Sequence, residues 1–298
     1  MQLKKATRKQ VKLRLNIASA SGFGKTYSAL LLAYGMTQDW NKIAVIDTEN
    51  ESASLYSNLG EFKSLPFSPP YSPARYIEAI KICENAGVEV IIIDSITHVW
   101  KGQGGLLEYQ NSLGGRYQDW AKTTPLYQNW LNTILQSKCH VITTVRKKQS
   151  YDMVNEGGKL RVKKVGLSDE IRDGFEYEVT TSFEIINDKH LARASKDRTN
   201  LFVNQPEFVI TPATGKKLLD WCNHGLNVKE EALELIKTSK TINELIEVYN
   251  RFPTMQEELK KDFAGKKIAL EAQKNKPLNI NPQTFSTNGT TRNNGVSQ

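Results

Sequence analysis

The chain has 298 residues, with 40 Lys and Arg against 32 Asp and Glu, a formal net charge of +8. Hydrophobic residues at 39% and charged residues at 24% fall in the range of a soluble globular protein, long enough for one α/β domain and an accessory piece. No apolar run approaches the ~20 residues of a membrane span and the N-terminus carries no apolar signal core, which predicts a cytoplasmic protein with no membrane partner. The cysteines Cys83, Cys139 and Cys222 form no metal-spaced pair and read as small apolar residues in a reducing compartment. The four histidines likewise lack metal-ligand spacing. The basic balance favours a polyanionic partner.

Residues 1–14 hold Lys4, Lys5, Arg8, Lys9, Lys12 and Arg14 and no acid, either a solvated arm or a phosphate-contacting one. An alternating run, Val11 to Ile17, reads as the first strand. Ser19-Ala20-Ser21-Gly22-Phe23-Gly24-Lys25-Thr26 follows, and then the apolar stretch from Tyr27 to Ala33. Strand, glycine-rich loop and helix in this order form a phosphate-binding loop, with Ser19 at the place of its usual first glycine. Gly22 and Gly24 let the backbone amides converge, and the helix N-terminus attracts an anion. Lys25 supplies a charge for β- and γ-phosphate, Thr26 a hydroxyl for Mg2+, and Ser19 to Tyr27 as a whole the nucleotide cradle. ATP and Mg2+ are the cofactors this implies.

Two further apolar runs end in carboxylates. Lys42 to Asp47 is a strand buried on both faces, continued by Thr48-Glu49-Asn50 at the sheet edge where α/β proteins hold ligands. Glu49 is there either a general base for an attacking water or a plain loop acid. Val88 to Asp94 is the second such run, and Asp94 is placed to hold the metal shell. Between them Ser72-Pro73 opens a helix with Ile77, Ile80 and Ile82 on its apolar side. Residues 101–120 mix glycines with Tyr109, Tyr117 and Trp120, and read as a mobile loop that stacks on bases or as an interhelical loop with inward aromatics.

His140 to Val145 is a fourth buried strand, ending at Thr144, which could sense a γ-phosphate. Arg146, Lys147, Lys148, Lys159, Arg161, Lys163 and Lys164 follow. Seven cations against Asp152 and Glu156 leave a surplus of five. The alternation from Gln149 to Val162 around Glu156-Gly157-Gly158 predicts a hairpin, either a phosphate-binding ribbon through Lys147, Lys148, Lys159, Arg161, Lys163 and Lys164 or a solvated one. Phe183 to Ile186 and His190 to Ala194 predict two antiparallel strands, followed by Lys196-Asp197-Arg198. These cations either reach a neighbouring subunit's phosphate or form a surface cluster. From about residue 226 three helical stretches follow, Val228–Thr238, Ile242–Tyr249 and Met255 to about Lys274, and the Asn- and Thr-rich residues 275–298 read as a disordered tail. The expected division is therefore 1–225, 226–274 and 275–298.

Residues 11–210 resemble the RecA-like core ATPases. They are more closely similar to the phage AAA-type ATP-binding proteins that include the fourth class of Sak single-strand annealing proteins. The segments GFGKTYSALLLA, VIDTENESASLY, PPYSPARYIEAI, VIIIDSITHVW, VGLSDEIRDGFEYE and SKDRTNLF carry the resemblance. It implies a RecA-like P-loop NTPase core of α/β class with a central mostly parallel sheet, to which the helical stretches after residue 226 add a small C-terminal appendage. It further implies Glu49 as the water-activating base and Thr144 at the sensor position, with Lys196 and Arg198 acting across a subunit interface. The two DNA-binding loops would fall at roughly 101–120 and 146–170. The expected function is an ATP-dependent, single-stranded-DNA-binding recombination ATPase, an annealing factor or recombinase. Its expected partners are single-stranded DNA, further copies in a ring or filament, and a single-strand-binding protein. A RadA- or DnaB-like motor or helicase loader is the alternative. A P-loop small-molecule kinase leaves the basic hairpin and Lys196-Asp197-Arg198 without a role.

Overall fold

The computed structural model describes residues 11–156, 159–223 and 228–274. The chain divides into two compact units, Met1–Gly225 and Leu226–Gln298. In the first, nine strands among the described residues join into one sheet. They are β1 (Arg14–Ser19), β2 (Ile43–Asp47), β3 (Lys63–Pro66), β4 (Val90–Asp94), β5 (His140–Glu156), β6 (Lys159–Asp169), β7 (Thr181–Ile185), β8 (Leu191–Asp197) and β9 (Phe208–Val209). The spatial order is β3-β2-β4-β5-β1-β7-β8-β9, with β6 paired to β5 outside this row. Pairings from β3 through β7 are parallel, and β5–β6, β7–β8 and β8–β9 are antiparallel.

The continuous apolar runs follow from burial on two faces. Alternate residues of one strand enter different cores. Ile91 and Ile93 of β4 and Ala44 and Ile46 of β2 pack with Tyr76, Ile80, Trp130 and Ile134. These come from α2 (Pro73–Asn85) and α5 (Trp120–Gln136). Val90, Ile92, Ile43 and Val45 pack on the other face with Leu30, Leu32 and Leu218. Those belong to α1 (Lys25–Thr37) and α7 (Pro212–Asn223). The short helices α3 (Thr97–Lys101), α4 (Leu106–Ser112) and α6 (Phe175–Glu178) complete this unit. On α2 the buried face is Tyr76, Ala79, Ile80 and Cys83, whereas Ile82 is half exposed, so the expected Ile82 contact is not made. The i, i+3, i+4, i+7 stripe runs through Tyr76 rather than through Ile82.

Helices α1 and α7 meet backbone to backbone. A Cβ on Gly35 would lie 1.9 Å from the Pro212 carbonyl oxygen, and one on Gly215 would lie 2.1 Å from that of Leu32. Only glycine permits this approach.

Two titratable residues, at the starts of β1 and β5, are structural. Arg14 is 6% exposed and donates to the carbonyls of Leu13, Leu135, Ser137 and Cys139, and burial lowers its pKa to about 10. It ties the α5–β5 turn to the sheet and takes no part in a phosphate-contacting arm. His140 is 7% exposed, and its Nδ1 accepts the Leu13 N–H at 3.0 Å. Burial, reinforced by Lys12 and Arg14, lowers its pKa to about 3. An unfolded histidine titrates near 6.5, so between these values the unfolded chain binds the extra proton. Stability therefore falls as pH falls from about 6.5 towards 3, at about 1.4 kcal/mol per pH unit from this group. His140→Asn keeps an acceptor for Leu13 and removes the titration. Denaturant melts should show a pH slope shallower by that amount in the variant, and equal slopes would refute the assignment.

The second unit holds α8 (Val228–Thr238), α9 (Ile242–Arg251) and α10 (Lys260–Lys274). Ala232, Ile236, Leu245, Val248, Phe252, Leu259, Phe263 and Leu270 form its core. Thr241 caps α9 by accepting the Glu244 N–H at 3.2 Å, and the Glu244 carboxylate accepts the Lys240 N–H at 2.7 Å. The third helix begins at Lys260 rather than Met255, because Pro253–Met255 forms a separate 3-10 turn. The tail 275–298 lies outside the described residues.

Candidate functional site: a phosphate loop, two buried carboxylates and an ion pair

Gly22 and Gly24 adopt φ of +83° and +86°, the left-handed region that glycine alone enters freely. Gly24 caps α1, with no side-chain cap and no acid in the first turn, so no carboxylate of the helix's own first turn competes for its first amides. The His190 Nδ1–H donates to the Phe23 carbonyl at 2.9 Å and holds the loop from β8's side. Lys25 Nζ donates to the Ala20 carbonyl at 3.1 Å and lies 3.4 Å from Ser19 Oγ. Burial lowers the Lys25 pKa, and Asp94 opposes that shift. Ser19, where a glycine was expected, closes β1 with its hydroxyl donating to Ala20 at 2.8 Å.

The two strand-end acids take different tasks. Asp94 is 1% exposed and accepts two short bonds, from Thr26 Oγ1 and from Thr144 Oγ1, each 2.5 Å. Burial pushes its pKa up. A carboxylate this deep calls for a cation nearby. Thr26 and Asp94 offer two adjacent hard oxygen ligands, the donor chemistry that a Mg2+ also holding phosphate oxygens requires. Asp47, also 1% exposed and pushed up by burial, accepts the N–H groups of Glu49 at 2.7 Å and Ala53 at 2.8 Å. It thereby shapes the turn that presents Glu49.

Glu49 Oε1 accepts from Ser95 Oγ at 3.1 Å and from Arg146 Nε at 2.8 Å, while Arg146 Nη2 binds Oε2. A cavity of about 520 Å3 opens between these groups, lined from the loop by Ser21, Gly22, Gly24, Lys25, Thr26 and Tyr27. Glu49, Ser52, Tyr56, Asp94, Arg146 and His190 complete its wall. Tyr27 and Tyr56 stand with ring centroids 5.6 Å apart on that wall. Tyr56, Arg146 and His190 were not singled out by the sequence for this site. For two of them the one signal was position: Tyr56 seven residues past Glu49, and Arg146 two residues past Thr144.

Thr144 does not face the cavity. It is fully buried, its proton is given to Asp94, and β5 presents Arg146 there instead. Lys147 is also not free for a polyanion. Its Nζ lies 2.7 Å from Glu184 Oε1 and 3.4 Å from Asp169 Oδ1, with the side chain 13% exposed. Lys148 is exposed beside Lys101, which lowers its pKa. Lys159, Arg161, Lys163 and Lys164 lie on β6, but their side chains fall outside the described residues, as do Lys4, Lys5, Arg8 and Lys9. The hairpin itself is present, with Glu156 opposite Lys159 and Lys147 opposite Asp169.

Lys196 Nζ donates to the carbonyls of Glu176 (2.8 Å) and Tyr177, and Arg198 Nη2 donates to Tyr177 at 2.7 Å. Both cap the C-terminus of α6 in their own chain and neither lines the cavity. Residues 101–120 are largely helical rather than a plain loop. Trp120 stacks on Trp100 at 5.7 Å and lies under Arg172, whereas Tyr117 is 90% exposed.

The strand–loop–helix cradle, the buried Asp94 and the mostly parallel sheet define a P-loop NTPase core. The chain belongs to the AAA domain family, whose model matches residues 11–211, and this core is thus an AAA-type P-loop ATPase domain. Among curated proteins none matches the chain. Among the described residues, no helix is long and apolar enough to cross a membrane.

Proposed function

We propose that the protein is an ATP-dependent, single-stranded-DNA-binding recombination ATPase, an annealing factor or recombinase that works as an assembly of copies. The observation that carries this reading is the course of β5. Its first half lies in the central sheet between β1 and β4, beside both the phosphate loop and Asp94. Among the described residues, its second half pairs with β6 alone, in a ribbon whose sequence is rich in Lys and Arg. One strand thus links a nucleotide site to a segment whose sequence is basic. Lys25 and the α1 amides bind the phosphates, and Thr26 with Asp94 hold Mg2+, which supplies charge neutralisation at the phosphates. Glu49 accepts a proton from a water whose oxygen bonds to the terminal phosphorus as the bond to the diphosphate oxygen breaks. Lys196 and Arg198 exchange their carbonyl partners for the phosphate of a neighbouring copy.

The test is single-stranded DNA binding across a salt series, with ATP turnover measured with and without that DNA. Neutralising Lys159, Arg161 and Lys163 together should weaken binding alike for all sequences and reduce the salt slope by about 0.7 per cation that meets a phosphate. Stacking by exposed aromatics leaves a salt-insensitive remainder. A triple variant with the parent's affinity and slope removes the ribbon from the DNA site and returns weight to the motor reading.

A further inference from the structure

The cavity wall holds a second cation besides Lys25. Arg146 is fixed through its backbone: its N–H donates to Thr97 Oγ1 at 3.0 Å, and its carbonyl accepts the Glu170 N–H at 2.8 Å. Only the side chain is free to move, and it is 38% exposed at the cavity. Its fork closes on both oxygens of Glu49, with Nε on Oε1 at 2.8 Å and Nη2 on Oε2. A carboxylate clasped in this way has its lone pairs occupied where an incoming water would use them. The same planar fork fits phosphate oxygens as well as carboxylate oxygens. Arg146 and Lys25 are near enough for one charge to act on the other. A guanidinium beside the phosphate loop but paired to the candidate base has two possible partners and can serve one at a time.

We propose that Arg146 is a ligand for the terminal phosphate of a nucleoside triphosphate, and that its ion pair with Glu49 is the resting state which that phosphate displaces. The proposal rests on the nucleotide reading of the cavity. The γ-phosphate takes the guanidinium, and Glu49 is released. Glu49 does not swing away, because Asp47 holds its backbone N–H and Ser95 Oγ remains on Oε1. It is then open to a water in the same place. A diphosphate carries no terminal group to compete for Arg146, so the pair stays closed. The site thereby distinguishes triphosphate from diphosphate before any bond is broken. Were the pair only a clasp between the Glu49 turn and β5, the two nucleotides would be treated alike.

The experiment reads binding rather than turnover. Fluorescent ADP and a fluorescent β,γ-imido triphosphate, each with Mg2+, are titrated by anisotropy into the full chain, Arg146→Ala, Arg146→Lys, Glu49→Ala and the Glu49→Ala/Arg146→Ala double variant. Thermal melts confirm that each is folded. Arg146→Ala should lose about tenfold or more in triphosphate affinity, the scale of one charged hydrogen-bonded contact, and nothing for diphosphate. Arg146→Lys keeps the charge without the fork and should recover part of that loss. Glu49→Ala removes the competitor and should bind triphosphate several-fold tighter than the parent, with diphosphate unchanged. The double variant should show no such gain over Arg146→Ala. Equal changes for both nucleotides in Arg146→Ala, or no gain in Glu49→Ala, overturn the proposal while leaving the phosphate loop intact. A parent that binds neither nucleotide overturns the cavity reading itself, and the proposal with it.

Discussion

Glu49→Gln is expected to bind ATP and to turn it over at a rate reduced by about 100-fold or more, the usual scale for loss of a general base. Glutamine keeps the shape of the side chain and an acceptor for Ser95 Oγ, so the turn set by Asp47 stays as it is. What it loses is the capacity to take a proton. Other carboxylates near the cavity cannot substitute. Asp94 is fully buried and bonded to two hydroxyls, and Asp47 is occupied by two backbone N–H groups. Single-turnover hydrolysis beside a binding titration separates the two effects. Hydrolysis within a few-fold of the parent would place the base elsewhere.

Lys25→Ala should have the other large effect, on binding itself. The ammonium sits 9% exposed at the head of α1 and now donates to the Ala20 carbonyl. A phosphate would offer it a full negative charge in a half-enclosed cavity. Losing that contact and leaving the phosphate charge uncompensated should lower nucleotide affinity by about tenfold to more than a hundredfold. The fold should persist, since Lys25 is desolvated at a cost that its carbonyl contacts only partly offset, as its lowered pKa shows. The measurement is a nucleotide titration with a thermal melt. Unchanged affinity in a folded variant would refute the loop assignment.

The sheet and the loop were legible because their signals are local. A continuous apolar run, a glycine-rich turn and Lys25-Thr26 fix strand, cradle and helix within one stretch of chain. Asp47 and Asp94 were legible as runs ending in acids, and Asp94 as the metal candidate, but the task of Asp47 in shaping the Glu49 turn was not. What sequence could not reveal lies across the chain. Glu49 and Arg146 are 97 residues apart, and only the placement of β2 and β5 on either side of β4 brings them together. Thr144 and Arg146 differ by two positions on one strand, and so point the same way along it by alternation alone. Which of them reaches the cavity depends on side-chain length and on Asp94 taking the nearer hydroxyl. Arg14 and Lys147 read as solvated or phosphate-contacting charges because a burial partner is invisible in composition. The carbonyls of the α5–β5 turn and the Glu184 carboxylate supplied those partners.

The crossing of Gly35 and Gly215 ties the nucleotide site to a place where no chemistry occurs. Helices held apart by interleaved side chains can slide when those side chains repack; two backbones in direct contact have nothing left to compress. Any tilt of α1 against α7 would turn about this contact, and the phosphate loop is the far end of the lever, about 15 Å along the axis from Gly35 at 1.5 Å per residue. A methyl group at either glycine would tilt that lever and carry Lys25 and Thr26 away from Asp94. Natural variation at the fulcrum would then be read as a change in nucleotide handling, although the altered residue touches neither phosphate nor metal.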